Sequence, residues 1–381
     1  MKTKSYLFAA ASATLMLASC TQNEVVEMPA TRAIGFGTYV GNTSRAVPET
    51  TVGFLQNNTE TGGKGFYVFG IYKDGADEVT VFDGKSNQSH VTSDGNAWGY
   101  EPINYWLFDK TYKFAAYGPA AALNKGEASF NYTTNALTIK DFSSEGTLDL
   151  VVAEADKLGY TVDTPTDGAD ANVKKVQFKF FHALSKVRFT FVNGWRNHVK
   201  LTVSDVKISG VKNTGTLTTS GSLADAAVGN GISWALGTVT KEYTWADTFE
   251  SNVFNEDSNY EYIIDETSEG IISATPNANV RYEYFLMPQD IAADAIELTL
   301  TCKVTNSADQ GPDLGDGSNS KTVTITIPND QVSKWEAGKA YNYTLTLDGK
   351  FFGLLPIQFD DIKVENWTPY QEDQLDDKDI K

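Results

Sequence analysis

Apolar and polar residues alternate along most of the chain from residue 34 onward, with the period of two that half-buried β-strands show. β-Branched and aromatic residues fill these runs, and Gly, Asn and Asp residues separate them. No convincing long amphipathic helix is found, although short helical turns are expected near 120–125 and 292–295. The clear strand runs are 65–72, 113–117, 148–153, 176–181, 186–192, 200–208, 280–286, 296–304, 321–327, 341–347 and 356–364.

This pattern predicts an all-β fold built from antiparallel sheets with one solvated face. Because 381 residues exceed one small core, two domains are expected, with three as the alternative. Strand runs on both sides of a polar stretch predict two β-sandwich domains in tandem. The polar stretch 156–175 is the best candidate for their junction, which gives an N-terminal domain over 46–165 and a C-terminal domain over 166–370. Residues 210–230 are predicted to form a long loop or a hairpin, and the acidic end 371–381 a disordered tail.

The first 20 residues have the three regions of an export signal. Lys2 and Lys4 form a positive start, residues 6–17 form a short apolar run, and Leu17-Ala18-Ser19 precedes Cys20. This end resembles a bacterial lipobox, which implies that 1–19 are a lipoprotein signal peptide and that the Cys20 thiol carries acyl chains such as palmitate. Several acyl chains on one residue would anchor the protein stably. An ordinary signal peptide with an incidental cysteine is the alternative.

The charge balance narrows the class of partner. The chain has 49 acidic and 31 basic residues, for a formal net charge of −18. This balance argues against a nucleic-acid-binding surface and against electrostatic binding to anionic lipid, and it fits a soluble surface protein. The two cysteines make no disulfide framework, and Cys302, in an alternating strand run, is interpreted as a buried structural thiol.

The sequence contains no constellation of residues typical of an enzyme or a metal site. We therefore predict no catalytic residue, no metal ion and no cofactor. His182 lies in a strongly apolar run and is interpreted as a core histidine, with a catalytic base as the alternative. Trp98, Trp106 and Trp195 are assigned to core packing, with sugar-stacking platforms as the alternative.

Several segments in a fixed order resemble the fimbrillin family of Bacteroidales, whose members are subunits of protease-assembled (type V) pili. Each segment is weakly specific by itself, and their joint order over about 30–367 carries the resemblance. The segments are the lipobox-like end, NTSRA at 42–46, GFYVFGIY at 65–72, KFAAYGP at 113–119, LDLVVAEA at 148–155, FKFFHALSKVRFTF at 178–191, YFLMPQDI at 284–291, WEAGKAYNYTLTL at 335–347 and IKVENW at 362–367.

The resemblance implies two sandwich domains of transthyretin-like type and a mode of assembly. The precursor would be exported to the outer membrane as a lipoprotein, and an arginine-specific surface protease would cut it behind the first strand. Loss of that strand would leave an apolar groove, which a strand from another fimbrial subunit would fill. The expected function is that of a structural subunit of cell-surface fimbriae that supports adhesion.

The first strand has the pattern that this mechanism needs. Ile34, Phe36 and Val40 share one face at period two, so residues 33–40 can plug an apolar groove. The lipidated pro-segment would then be 20–45, because Arg45-Ala46 matches the family's scissile position. Arg32-Ala33 is a competitor, at which a cut would release the lipid and leave the strand in place. A solvated turn arginine is the alternative reading of Arg45.

The strand that fills a neighbouring groove is less evident. The candidate donor strand alternates, is broken by two aspartates and then resumes, as a bulged strand would; its apolar residues are Leu355, Ile357, Phe359, Ile362 and Val364. The acidic end that follows differs from an ideal C-terminal donor. The alternative function is a non-polymerising surface lipoprotein that binds a glycan or a host ligand.

Overall fold

The structure is a computed structural model of the chain. It describes residues 33–40, 50, 52–59, 62–107, 110–155, 160–161, 176–193, 200–220, 223, 231–245, 248–250, 282–291, 296–305, 319–347 and 362–366.

These residues form 22 strands, one short α-helix and two short 3-10 helices. The helix α1 is Val52–Gln56, and the 3-10 helices are Asn87–Ser89 and Ala120–Asn124. Strands of the first part are β1 Phe36–Val40, β2 Phe66–Asp74, β3 Asp77–Asp83, β4 His90–Ser93, β5 Trp98–Gly99, β6 Thr111–Gly118, β7 Glu127–Asn131, β8 Ala136–Ser143, β9 Val151–Ala155, β10 Tyr160–Thr161 and β11 Val176–His182. The later strands are β12 Ser185–Asn193, β13 Lys200–Lys212, β14 Thr214–Thr219, β15 Ile232–Leu236, β16 Thr240–Thr244, β17 Phe249–Glu250, β18 Tyr282–Leu286, β19 Glu297–Thr305, β20 Ser320–Thr326, β21 Lys339–Leu347 and β22 Lys363–Asn366.

The all-β fold class is confirmed, and the long predicted strands coincide with observed ones to within a few residues where the structure describes them. The predicted run 356–364 is described only from residue 362. Most pairs are antiparallel, as expected, but β1 pairs with β11 and β12 pairs with β21 in parallel. The helical turn predicted near 120–125 is the second 3-10 helix. The other predicted turn, 292–295, lies outside the described residues.

The largest sheet runs β1-β11-β9-β6-β2-β4-β5, with β3 on β2 and β10 on β6. Its central strands are buried on both faces, which explains why β2 is an almost continuous apolar run. One face packs into the N-terminal core, which includes Phe66, Phe114 and Phe178. The other face packs into the middle core, which includes Tyr67 and Tyr117.

A four-stranded sheet, β15-β14-β8-β7, supplies the other wall of the middle core. Two further sheets, β18-β12-β21-β22 and β16-β13-β19-β20 with β17 on β13, enclose the C-terminal core. Aromatic residues of β12 and β21, such as Phe189 and Tyr343, face aliphatic residues of β13 and β19 there, such as Val203 and Leu300.

Strand pairing links the two predicted domains. β11 lies between β1 and β9 in the large sheet, and the hairpin β14–β15 pairs with β8 of the N-terminal half. Within 210–230, where the sequence predicts a long loop or a hairpin, the structure describes the end of β13 and the strand β14; the hairpin partner of β14 is β15, which lies beyond this range. The division of the chain at residue 165 stays a prediction. Three strands that follow this residue, β11, β14 and β15, belong to sheets that also contain strands of the first half.

Candidate functional site

The predicted removable strand is an edge strand of the large sheet. β1 pairs in parallel with β11, from Phe36 opposite Val176 to Val40 opposite Phe180. Just before β1, Ala33 makes an antiparallel bridge with Tyr105. The strand is thus held by β11 along its length and by a loop segment at its start.

The inward face of β1 is buried in the N-terminal core. Ile34 is 1% exposed and Phe36 is 3% exposed, so both side chains are removed from water. Burial of side chains of this size stabilises the folded state by about 1.5–3 kcal/mol each. Val40 is paired with β11, and its side chain lies outside the described part.

Phe36 occupies an aromatic pocket. Its ring centroid lies 5.4 Å from that of Phe82, 5.4 Å from Tyr100, 6.3 Å from Phe114 and 5.8 Å from Phe178. The Phe178 ring is stacked on it, and the Phe82 and Phe114 rings present edges. Such geometry adds to the stabilisation that comes from buried area alone. Without β1, these rings would line an open groove.

Main-chain groups of β1 are also held. The Ile34 amide donates to the Asn104 carbonyl at 2.8 Å, and the Val176 amide donates to the Gly35 carbonyl at 2.9 Å. The Tyr100 hydroxyl donates to the Ile34 carbonyl at 2.8 Å. Burial, above all, raises the pKa of Tyr100 to about 12, so this phenol stays a donor at neutral pH.

A buried polar anchor holds the chain just after the predicted cleavage position. The Thr50 amide donates to Asp149 Oδ2 at 2.7 Å, and the Thr50 hydroxyl donates to the Asp149 carbonyl at 2.6 Å. His182 Nδ1 lies 3.0 Å from Asp149 Oδ2. All three residues are almost completely buried. Leu55 of α1, also fully buried, fixes the following turn in the N-terminal core.

The anchor decides how His182 is interpreted. The prediction of a core histidine is confirmed, because the ring is buried and bound to a carboxylate. A catalytic base would hold the hydroxyl that it activates. Here the Thr50 hydroxyl donates to a main-chain carbonyl, and the Asp149 carboxylate is placed between Thr50 and the imidazole.

Other singled-out side chains also serve packing. Trp106 is buried, and its ring centroid lies 4.9 Å from that of Tyr112. Trp98 is half-buried, and its ring centroid lies 5.0 Å from that of Phe66. Cys302 is buried in the C-terminal core, and burial raises the pKa of its thiol to about 12. The core assignments of these three residues are confirmed. Trp195 lies outside the described residues.

The end of the candidate donor strand is found in the C-terminal half. β22 pairs antiparallel with β21, with Val364 opposite Tyr341. Ile362 is half-buried against the C-terminal core, and Val364 is 45% exposed. Leu355, Ile357 and Phe359 lie outside the described residues, as do Cys20, Arg32, Arg45 and Ala46.

The described residues offer neither a metal site nor a membrane-spanning helix. They hold no group of three or more His, Cys, Asp or Glu side chains arranged to bind a metal ion. They also include no helix that is long and apolar enough to cross a membrane.

Sequence reasoning missed Asp149 and Thr50. Asp149 stands between Leu148 and Leu150 in an apolar run, as His182 does in its own run. Two polar residues in separate apolar runs are a signal for pairing, because a buried charge needs a partner. The partners are far apart in the sequence, so only the fold identifies them.

Three of the matches with known proteins show what this chain is similar to. A family model described as fimbrillin-like matches residues 45–367. The fimbrium subunit Fim1C of Phocaeicola vulgatus is 29% identical over 204 residues, so the match spans about half of each protein, 49% of this chain and 50% of the relative. The solved structure of a fimbrial protein from Bacteroides vulgatus aligns with 88% of this chain and 100% of its own, at a TM-score of 0.49 and 14% identity.

Proposed function

The chain belongs to the fimbrillin-like family, and we propose that it is a structural subunit of cell-surface fimbriae that assembles by strand exchange and supports adhesion. The observation that carries this proposal is the placement of β1. It is an edge strand with a deeply buried apolar face, and its parallel partner β11 comes from a distant part of the chain. Removal of such a strand leaves unpaired main-chain groups beside exposed aromatic rings, which favours addition of another strand.

In the proposed pathway the precursor is exported as a lipoprotein and held at the outer membrane by Cys20. An arginine-specific surface protease cuts between Arg45 and Ala46. Lipid, linker and β1 then leave together, because no peptide bond joins them to the rest of the protein. The retained chain begins four residues before the Thr50 anchor.

A cut between Arg32 and Ala33 has a different result in this pathway. It would detach the protein from the membrane while Ile34 and Phe36 still fill the groove. We therefore assign Arg45 to activation and Arg32 to a competing release without activation.

The donor strand is the second part of the proposal. The alternating residues Leu355, Ile357 and Phe359 would enter the groove of another subunit, either a second copy or a related chain. β22 follows them and is already paired with β21, so it would remain with its own C-terminal sheet. The donor strand would then be joined directly, through β22, to the C-terminal sheet of its own subunit.

Limited cleavage of the purified full-length precursor tests the proposal. We expect an arginine-specific protease under native conditions to produce an N-terminus at Ala46, followed by oligomers or fibres on size-exclusion chromatography and electron microscopy. Arg45→Lys keeps the positive charge but removes the cleavable residue, so this variant should remain monomeric. The matched control Arg32→Lys should assemble like the unmodified chain. Cleavage at Arg45 without any increase in mass would refute assembly by strand exchange.

A further inference from the structure

One residue of β1 fits the groove poorly. Ile34, Phe36 and Thr38 project toward the same side at period two. The first two are nearly fully buried apolar side chains. The hydroxyl oxygen of Thr38 is also buried, and it has no hydrogen-bond partner in the described part of the protein. Thr38 stands opposite Phe178 in the register of β1 and β11.

A buried hydroxyl without a partner weakens the binding of the segment that carries it. In water the hydroxyl makes hydrogen bonds, and it gives them up when the strand enters the groove. An apolar side chain of the same shape would have no such bonds to lose. The native strand therefore binds less tightly than the groove allows.

The side of β1 that faces away from the groove places little constraint on which strand can bind there. Gly37 lies opposite Gln177, whose side chain would contact a Cβ at this position at 2.3 Å. Gln177 is exposed, and its flexible end can move away. Selection of a strand thus depends on the groove-facing positions, and Ile34, Phe36 and Thr38 occupy the three whose side chains the structure describes.

We propose that the groove is specific for a strand from another subunit that carries apolar side chains at all three of these positions, and that Thr38 makes the native strand a weaker, displaceable occupant. This inference rests on the proposed function and names the chemistry of its partner. Within this chain, Leu355, Ile357 and Phe359 supply three apolar residues at the required spacing, so a second copy of the chain has a suitable segment.

Peptide competition tests the inference on the full-length chain after cleavage at Arg45 and removal of the released segment. The probe is a fluorescent peptide of sequence AIGFGTYV, which reproduces residues 33–40. We expect a peptide with the change Thr38→Val to compete about fivefold or more better, because it loses the unpaired hydroxyl. Thr38→Ser keeps the hydroxyl and should compete no better than the native peptide. Phe36→Ala should compete at least about tenfold worse, since it empties the aromatic pocket.

The outcomes separate the two proposals. If Phe36→Ala weakens competition but Thr38→Val does not improve it, the proposed selection at Thr38 is refuted, whereas binding of a strand in the groove is supported. If no peptide binds, both the groove and the selection are wrong. A second measurement uses the intact precursor with Thr38→Val. After cleavage at Arg45 it should release the segment that carries β1 about fivefold or more slowly than the unmodified chain, and an unchanged release rate would overturn the inference.

Discussion

β1 and β22 both lie at a sheet edge, near opposite ends of the described chain, but they bury different amounts of apolar surface. β1 inserts Ile34 and Phe36 into the N-terminal core, where both are at most 3% exposed. β22 pairs antiparallel with β21, and its Val364 is 45% exposed. If β1 exchanges as proposed, an edge position alone does not make a strand exchangeable. What matters is the cavity that remains when the strand leaves.

The partners of the two strands differ as well. β22 adds an outer strand beside β21, and the other neighbour of β21 in this sheet is β12. Side chains of β12 and β21 pack into the C-terminal core. β1 covers the rings of Phe82, Tyr100, Phe114 and Phe178 directly. Loss of β22 would thus remove an outer strand, whereas loss of β1 would open a core.

The largest expected effect is at Phe36. Phe36→Ala in the uncut chain should lower the free energy of unfolding by about 3–5 kcal/mol, because it leaves a cavity among four rings. The matched change in the other edge strand, Val364→Ala, should cost about 0.5 kcal/mol or less. Urea unfolding of both variants measures the contrast. Similar losses for the two variants would contradict the distinction between β1 and β22.

The next effect concerns the chain that stays behind after cleavage. Asp149→Ala removes the acceptor of the Thr50 amide and of His182, and it should lower the free energy of unfolding by about 1–3 kcal/mol. Trypsin should then cut the processed protein again after Lys64, the next basic residue after Arg45. The exposed Asp77→Ala is the control and should leave a single cut at Arg45. Resistance of Lys64 in the Asp149 variant would show that Thr50 needs no anchor.

The smallest effect is at Tyr100, whose hydroxyl holds the Ile34 carbonyl. Tyr100→Phe should cost about 0.5–1.5 kcal/mol and accelerate release of β1 after cleavage. Tyr341→Phe, in the strand that pairs with β22, is the matched control. It removes the hydroxyl that accepts the Glu336 amide, and it should leave the release rate unchanged. Equal release rates for the Tyr100 variant and the unmodified chain would contradict the role of this hydroxyl.

Alkaline pH tests the same contact. The pKa of Tyr100 is raised by burial from 10.0 to about 12. Its raised pKa means that its contribution to stability is fully present below pH 10 and is lost as the pH rises to about 12. Release of β1 should accelerate over this range in the unmodified chain and accelerate less in Tyr100→Phe. A stopped-flow measurement with labelled β1 would distinguish the two.

Strand positions could be predicted because alternation is a local property. The runs 176–181 and 341–347 coincide with β11 and β21, since side chains two residues apart necessarily share a face. The apolar face of the first strand was recognisable for the same reason. The short strands β7 and β16 were missed, because five residues with few apolar positions carry too weak a pattern.

The sequence by itself determined the all-β class, the long strands and the apolar face of β1, because these depend on neighbouring residues. Only the tertiary structure decided that β1 lies parallel to β11, that β14 and β15 join the N-terminal sheets, and that Asp149 joins Thr50 to His182. The tertiary structure alone also decided that the Thr38 hydroxyl is buried without a hydrogen-bond partner in the described part of the protein. Each of these features depends on residues far apart in the chain, and their contacts exist only once the sheets have packed.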